Sequence, residues 1–174
     1  MSEYGSSGVG RRRVTEVYVG AGSNVEPERH LRAALIALAD RYGVLRLSPL
    51  YENQPVGFDG DNFLNLVIAF DTDDDIVAVN ASLAKIEAAS GRARASGKFA
   101  PRTLDLDLLL YGDLADPEGA GIPRDEILEY AFVLKPLADV APDEIHPEEG
   151  VSYAELWRRF SGERGGLREV PLDL

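Results

Sequence analysis

Two aspartates separated by one residue stand in an otherwise apolar part of the chain. They are Asp105 and Asp107, within the segment 100–112 that reads A-P-R-T-L-D-L-D-L-L-L-Y-G. The short apolar run predicts a β-strand, in which successive side chains point to opposite faces of a sheet. Both carboxylates therefore fall on one face with Leu109, about 6.6 to 6.8 Å apart along the backbone. The other face is expected to carry the remaining leucines of the run, Leu104, Leu106, Leu108 and Leu110.

Two carboxylates this close together need a compensating charge. Like charges on neighbouring positions of one face repel each other, and an ionised carboxylate is costly to bury without a partner. Aspartate is also depleted in strands, and a hard divalent cation is a common reason for such a pair. A half-exposed strand with two solvated aspartates, paired with Arg102, is the alternative, because a D-x-D pattern alone is short.

The composition narrows the metals that such a site can bind. The chain has no cysteine and two histidines, His30 and His146, so thiolate metal sites and thiolate nucleophiles are excluded. A metal must then be held mainly by oxygen atoms, which favours Mg²⁺, Mn²⁺ or Ca²⁺.

Length and charge set the class of protein. The 174 residues, 45% apolar and 28% charged, are typical of one globular domain. The formal net charge of −12 argues against nucleic acid or an anionic membrane as a partner.

Residues 1–13, rich in Gly and Ser and ending in Arg11, Arg12 and Arg13, are expected to be a disordered tail, and residues 14–174 to be a single domain. The absence of a signal-peptide pattern and of a long apolar run predicts a cytoplasmic protein. We expect it to be a monomer.

A basic segment leads directly into the strand of the two aspartates. Residues 92–102 read R-A-R-A-S-G-K-F-A-P-R and contain four cations and no acid, in a chain that is otherwise acidic. The cations are Arg92, Arg94, Lys98 and Arg102. A charge run of this kind is usually a solvated loop, but basic side chains beside a bound metal also form a binding site for a polyphosphate.

Hydrophobic periodicity predicts the elements that position these residues. The strands are predicted at 14–21, 44–51, 63–70 and 104–111, and the helices between Glu26 and Gly43 and between Asp73 and Gly91. This order is the ferredoxin-like βαββαβ pattern, an α+β fold with an antiparallel sheet and both helices on one face. The two aspartates are then expected on the free face, with extra C-terminal strands and a helix at the margin of the sheet.

Together these motifs resemble the hydroxymethyldihydropterin pyrophosphokinase family of folate biosynthesis. The resemblance rests on P-R-T-L-D-L-D at 101–107, G-S-N at 22–24, F-L-N at 63–65 and G-R-A-R at 91–94, and it covers roughly residues 14–150. It implies that pyrophosphate passes from ATP to the hydroxymethyl group of a reduced pterin and that AMP leaves. Such chemistry depends on positioning and charge neutralisation, and it needs neither a cysteine nor a histidine base.

The resemblance also implies roles for individual residues. Asp105 and Asp107 would hold two Mg²⁺ ions and act in catalysis together with Arg92 and Arg102. The nucleotide would contact mostly basic residues, Glu87, Arg92, Arg94, Lys98, Arg102 and Arg124. The pterin would contact amide and apolar side chains, Asn53, Val56, Phe63, Asn65, Phe99 and Phe132. Of these, Glu87 falls in the last turn of a predicted helix, where an acid opposes the helix dipole.

Some positions depart from the family pattern and leave other functions open. Arg124 and Asp125 stand where many members have His followed by Tyr or Pro, Tyr130 stands where they have Arg, and Ala95 where they have Lys or Arg. A divergent paralogue acting on a related pterin is one alternative. A different metal-dependent phosphoryl or nucleotidyl transferase is another. The third is a ferredoxin-like ligand-binding module without catalysis, which would need neither aspartate.

Overall fold

The computed structural model describes residues 13–91 and 103–174. Within these ranges the chain forms six strands and five helices. In chain order they are β1 Thr15–Ser23, α1 Pro27–Tyr42, β2 Arg46–Leu47, β3 Leu50–Asn53, β4 Phe63–Thr72, α2 Ile76–Ala89, β5 Asp105–Tyr111, α3 Glu126–Glu129, α4 Ala131–Val140, α5 Tyr153–Arg159 and β6 Arg168–Val170. None of the described helices has the length and apolar composition needed to cross a membrane.

The strands form one antiparallel sheet with the order β5-β1-β4-β3-β6, and β2 also pairs with β4. This confirms the predicted α+β class and its ferredoxin-like sheet. The predicted second strand is divided at Ser48 and Pro49, because proline has no backbone N–H to donate to a neighbour. Ser48 bonds to β4 instead: its N–H donates to the Val67 carbonyl at 2.9 Å, and its hydroxyl accepts from the Val67 N–H at 2.8 Å.

Helices α1 and α2 cover one face of the sheet and form the first hydrophobic core. Helix α1 begins at Pro27, which suits the first turn of a helix because the N–H it lacks would have no partner there, and it buries Leu31 and Leu38. Helix α2 begins after Asp75, whose carboxylate accepts the Ala78 N–H at 2.8 Å. Both helix predictions are confirmed.

A bulge in β5 changes which leucines face the two sides of the sheet. Val19 of β1 is opposite Leu108, but the preceding residue, Tyr18, is opposite Leu110. Leu109 is therefore an extra residue in the pairing. As a result Leu108 packs in the first core, whereas Leu109 and Leu110 both join a second core on the other face. The predicted alternation is wrong for Leu110.

The second face of the sheet is partly covered, and the expectation that it stays free is wrong. Helix α4 packs against β4 and β3, and its Leu134 and Leu137 form the second core with Val67 and Ala69 of the sheet. Packing of α4 on these strand side chains removes apolar surface from water, which stabilises the folded protein. The chain after residue 112 thus covers part of this face, and the end that carries the two aspartates remains open to a cavity.

A buried histidine organises the turn between α4 and α5. His146 is 1% exposed, and its Nδ1 accepts the backbone N–H groups of Glu148 and Glu149, both at 3.2 Å. A ring nitrogen accepts a hydrogen bond only when it carries no proton. Burial lowers the pKa of His146, and the Glu149 and Glu148 carboxylates act in the opposite direction.

This histidine is expected to cost stability in mild acid. Below the ordinary imidazole pKa of 6.5 the unfolded chain takes up a proton that the folded protein resists, because the folded pKa is lowered. The unfolded state then binds more protons, so the free energy of unfolding falls as the pH falls. The variant His146→Asn keeps an acceptor oxygen and does not titrate. We expect the stability of wild type relative to this variant, measured by urea unfolding, to decrease from about pH 7.5 to about pH 5.5. A constant difference would contradict the prediction.

Candidate active site

A cavity of about 470 Å³ opens at the end of the sheet that α4 leaves uncovered. Strands β1, β4 and β5 form its floor, and the loop 54–62 and the segment 124–133 contribute its walls. One side of the cavity, called the amide side below, carries aromatic rings and the amides of Asn53 and Asn65. The opposite side, called the charged side, carries Asp105, Asp107, Glu126 and Arg124. All but one of the predicted site residues in the described ranges line it, namely Asn53, Val56, Phe63, Asn65, Asp105, Asp107, Arg124 and Phe132.

The strand register explains how the two sides come together. Gly22 of β1 is opposite Asp105 on one side and Asn65 on the other, and Gly20 is opposite Asp107. Neighbouring strands are about 4.7 to 4.9 Å apart, so the backbones of Asn65 and Asp105 are separated by roughly 9 to 10 Å across the glycine. Because glycine has no side chain, the floor between the amide and the carboxylates is open to a ligand.

Gly22 also allows Asn65 to lie close to β1. A methyl group at position 22 would lie 2.5 Å from Oδ1 of Asn65, whereas one at Gly20 would meet the Leu109 side chain at an ordinary 3.5 Å. Asn65 is 9% exposed and donates its side-chain N–H to Oδ1 of Asn53, which is also buried. The two amides orient each other, and this arrangement depends on the absence of a side chain at position 22.

The other two residues of the G-S-N motif hold neighbouring segments against β1. The buried Ser23 donates its hydroxyl to the carbonyl of Thr103, just before β5. Asn24 donates its side-chain N–H to the carbonyl of Asp61, just before β4, at 3.3 Å. The motif therefore connects the end of β1 to the starts of the two strands that carry the site residues.

Two pairs of aromatic rings wall the amide side. Phe58 meets Phe63 edge to face, with ring centroids 6.2 Å apart and planes at 82°, while Tyr130 stacks on Phe132 at 5.1 Å and 16°. The sequence predicts Phe63 and Phe132. It does not predict Phe58, which lies in a loop without periodicity, and an aromatic residue within G-F-D-G is the one local signal for it. From the sequence, Tyr130 is known only as a departure from the family pattern, but in the structure it lines the cavity.

Asp107 is the centre of the charged side. Nη2 of Arg124 lies 3.2 Å from its Oδ1, and Nε of Arg124 lies 3.1 Å from Oε2 of Glu126. Burial and the Asp105 carboxylate raise the pKa of Asp107 to about 7, and the Arg124 guanidinium partly offsets them. Sequence reasoning does not find Glu126, because no local pattern shows that the short helix α3 lies beside β5. Among the described residues that line it, the charged side thus has three carboxyl groups, those of Asp105, Asp107 and Glu126, and one guanidinium, that of Arg124.

The donor atoms of the charged side suit a hard divalent cation that shares its coordination with a ligand. In the described ranges no three or more His, Cys, Asp or Glu side chains are grouped so as to hold a metal ion. Asp105 and Asp107 supply carboxylate oxygens, and Mg²⁺ in nucleotide sites is usually bound by one or two carboxylates, with phosphate oxygens and water completing the shell. A cation would also relieve the repulsion that raises the pKa of Asp107.

Glu87 is the described site residue that does not line the cavity. It is 9% exposed at the end of α2, and its Oε1 accepts the Leu106 N–H at 2.7 Å. Leu106 stands between the two aspartates, so this acid holds β5 against α2. The bond accounts for an acid at the unfavourable end of a helix. A nucleotide contact of Glu87 stays a prediction.

Five predicted site residues lie outside the described ranges, namely Arg92, Arg94, Lys98, Phe99 and Arg102. Their roles stay predictions, as does the departure at Ala95. The same holds for the expected disordered tail, of which the structure describes Arg13.

Comparison with known proteins identifies a family for the chain and a structure with the same fold. The sequence pattern of the family described as 7,8-dihydro-6-hydroxymethylpterin-pyrophosphokinase (HPPK) matches residues 18–142. A 2-amino-4-hydroxy-6-hydroxymethyldihydropteridine pyrophosphokinase from Pseudomonas aeruginosa is 43% identical over 136 residues, which are 75% of this chain and 83% of that protein. The protein of the same name from Methylorubrum extorquens is 35% identical over 146 residues, which are 81% of this chain and 92% of that protein.

A crystal structure of Plasmodium falciparum HPPK-DHPS A437G with pteroate has the same fold. Its TM-score is 0.68 at 13% identity, over 87% of this chain and 41% of that chain. The present chain thus spans less than half of that protein, and the likeness concerns the fold. The fold of the present chain is the ferredoxin-like α+β fold, with the cavity at the open end of its sheet. By its match over residues 18–142, the chain belongs to the 7,8-dihydro-6-hydroxymethylpterin-pyrophosphokinase family.

The position of Gly22 can be tested by adding a methyl group. Gly22→Ala is expected to displace Asn65 from its bond with Asn53 and to lower the free energy of unfolding by about 1 to 3 kcal/mol, since a buried amide loses its partner. Gly20→Ala is the matched control on the same strand, and it should be neutral or slightly stabilising because alanine restricts the unfolded chain. Urea unfolding of both variants makes the comparison. Equal effects of the two substitutions would contradict the close approach at position 22.

Proposed function

We propose that this chain transfers pyrophosphate from ATP to the hydroxymethyl group of 6-hydroxymethyl-7,8-dihydropterin, with AMP as the second product, in folate biosynthesis. Membership in the pyrophosphokinase family supports this reaction. The structural observation that carries it is a single cavity in which buried amides and aromatic rings face paired aspartates across a glycine floor. ATP, the pterin and Mg²⁺ are the partners that this proposal requires.

The amide side is suited to a flat heterocycle with hydrogen-bonding edges. Phe63 and Phe132 supply apolar ring faces, and each is supported by a second ring, Phe58 or Tyr130. Asn53 and Asn65 supply amide donors and acceptors, which a pterin edge requires. Because the two amides orient each other, they are arranged before the ligand binds, and the ligand need not order them.

The transferred group would then lie over the glycines, between the amides and the carboxylates. The pterin hydroxyl oxygen attacks the β-phosphorus of ATP, the bond from that phosphorus to the oxygen it shares with the α-phosphate breaks, and AMP leaves with the bonding electrons. The hydroxyl proton is lost to solvent or to a phosphate oxygen. Positioning and charge neutralisation are the main requirements of such an in-line displacement.

Asp105 and Asp107 are proposed to hold Mg²⁺ at this point. The family resemblance implies two ions, and both carboxylates line the cavity, where each can contribute oxygen ligands. When bound, Mg²⁺ neutralises charge on the phosphates. Arg124, whose side chain is 36% exposed in the cavity wall, is proposed to contact phosphate oxygens. Catalytic roles of Arg92 and Arg102, and nucleotide contacts of Arg94 and Lys98, complete the proposal as predictions from the sequence.

The reaction is tested by its product. Purified protein is expected to form AMP from ATP only when hydroxymethyldihydropterin and Mg²⁺ are both present, because attack on the β-phosphorus needs the pterin hydroxyl and a neutralised triphosphate. Anion-exchange chromatography separates AMP from ADP and ATP. Reactions without pterin, and with a chelator, are the controls.

Two outcomes would overturn parts of this proposal. The absence of AMP with authentic pterin would contradict the pyrophosphokinase reaction and would favour the divergent paralogue or the binding module. Formation of ADP in place of AMP would indicate transfer of the γ-phosphoryl group and a different transferase.

A further inference from the structure

Arg124 contacts two acids of the charged side at once. Its Nη2 lies 3.2 Å from Asp107 and its Nε lies 3.1 Å from Glu126. Its backbone N–H donates to the Leu109 carbonyl at 3.1 Å, which ties the residue to β5 two positions beyond Asp107. The main chain of Arg124 is therefore fixed beside β5, and its guanidinium contacts one of the two carboxylates proposed to bind metal.

A guanidinium and a divalent cation cannot share Asp107 without cost. Both are positive, and at such short separations in a partly buried site like charges repel strongly. The Asp107 side chain is 29% exposed and that of Arg124 is 36% exposed, so solvent screens the repulsion only in part. Each cation consequently weakens the binding of the other at this carboxylate.

Glu126 provides Arg124 with a second acceptor. Its side chain is 19% exposed and its bond to Nε holds the guanidinium beside the cavity when the Asp107 contact is given up. A bound triphosphate would offer further acceptors for the same side chain, since arginine pairs well with phosphate oxygens. A ligand in the cavity would thus offer Arg124 an alternative to Asp107, with Glu126 as the contact that is kept.

We propose that Arg124 competes with the metal for Asp107 in the nucleotide-free protein and turns to the phosphates when nucleotide binds, which couples metal binding to nucleotide binding. This inference rests on the proposed function, because it requires a metal at Asp105 and Asp107. Its consequence is that the protein binds a divalent cation weakly alone and more tightly together with ATP. In this proposal Arg124 pairs with the metal ligand Asp107 when nucleotide is absent and with the phosphates when nucleotide is bound.

Metal binding without nucleotide tests the competition directly. Mn²⁺ serves as the probe, because the free ion is counted by electron paramagnetic resonance. Arg124→Gln is expected to bind Mn²⁺ about tenfold or more tightly than wild type, a change at the lower end of the coupling measured for close charge pairs. Arg46→Gln is the matched control: it removes the same charge from an arginine that pairs with Glu16 and Asp71 on another part of the sheet, and it should leave the affinity within about twofold.

The coupling is tested by adding nucleotide. With saturating α,β-methylene-ATP, which cannot release AMP, the advantage of Arg124→Gln over wild type should shrink to about twofold or less, and the variant should bind the analogue more weakly. Arg124→Met, which also removes the charge, provides a second variant. The increase in unfolding temperature caused by saturating Mn²⁺ is compared within each protein, and it should be larger in both variants than in wild type.

The results separate this inference from the proposed reaction. Mn²⁺ affinities of Arg124→Gln and Arg124→Met within about twofold of wild type would overturn the competition, and so would the absence of Mn²⁺ binding in all the proteins. Neither result depends on turnover. Failure to form AMP from ATP and the authentic pterin would instead overturn the proposed function, and it would be seen in wild type without reference to Arg124.

Discussion

The cost of holding two carboxylates side by side on the face of a sheet determines how the rest of the site is built. Asp105 and Asp107 point to the same side of β5, and burial next to a like charge raises the pKa of Asp107 to about 7. Arg124 offsets part of this cost from one side, while the Glu87 bond to Leu106 fixes the strand between the two acids. The described part of the site is therefore rich in carboxyl groups, which suits a bound cation, and neutralisation of charge is what transfer of a phosphate group requires.

One face of the sheet carries a hydrophobic core at one end and the cavity at the other. A bulge in β5 and two glycines in β1 produce this division. The bulge at Leu109 turns both Leu109 and Leu110 to the second face, where they support α4. Two positions before the bulge, the same face carries Asp107 opposite Gly20, and α4 no longer covers it. One strand thus contributes a core at one end and a charged cavity at the other. The glycines of β1 keep the boundary open, and the residues after Gly22 connect β1 to the starts of β4 and β5.

Much of this arrangement can be predicted from the sequence, where it depends on local patterns. Strand alternation places Asp105 and Asp107 on one face, and helical spacing predicts α1 and α2. Leu110 is predicted wrongly because a bulge is set by pairing with β1 and leaves no mark in the run of leucines. Phe58 and Glu126 are not predicted because they reach the cavity from a loop and from a short helix whose positions depend on the tertiary fold. In the sequence, Glu87 is recognisable only as an acid at the unfavourable end of a helix. Its partner, the backbone N–H of Leu106 in β5, is known only from the structure.

The substitution Asp107→Asn tests whether the paired carboxylates are needed for the reaction, since it removes an ionisable group and changes the shape of the site very little. AMP formation from ATP and hydroxymethyldihydropterin is expected to fall by roughly a thousandfold or more, while the affinity for the pterin alone stays near that of wild type. The free energy of unfolding is expected to stay the same or to rise, because the raised pKa of Asp107 shows that its charge costs stability. Asp71→Asn, at an exposed position of the same sheet, is the control and should retain full activity. An Asp107→Asn protein that forms AMP at the rate of wild type would contradict the account, because its charged side would then be unnecessary for the reaction.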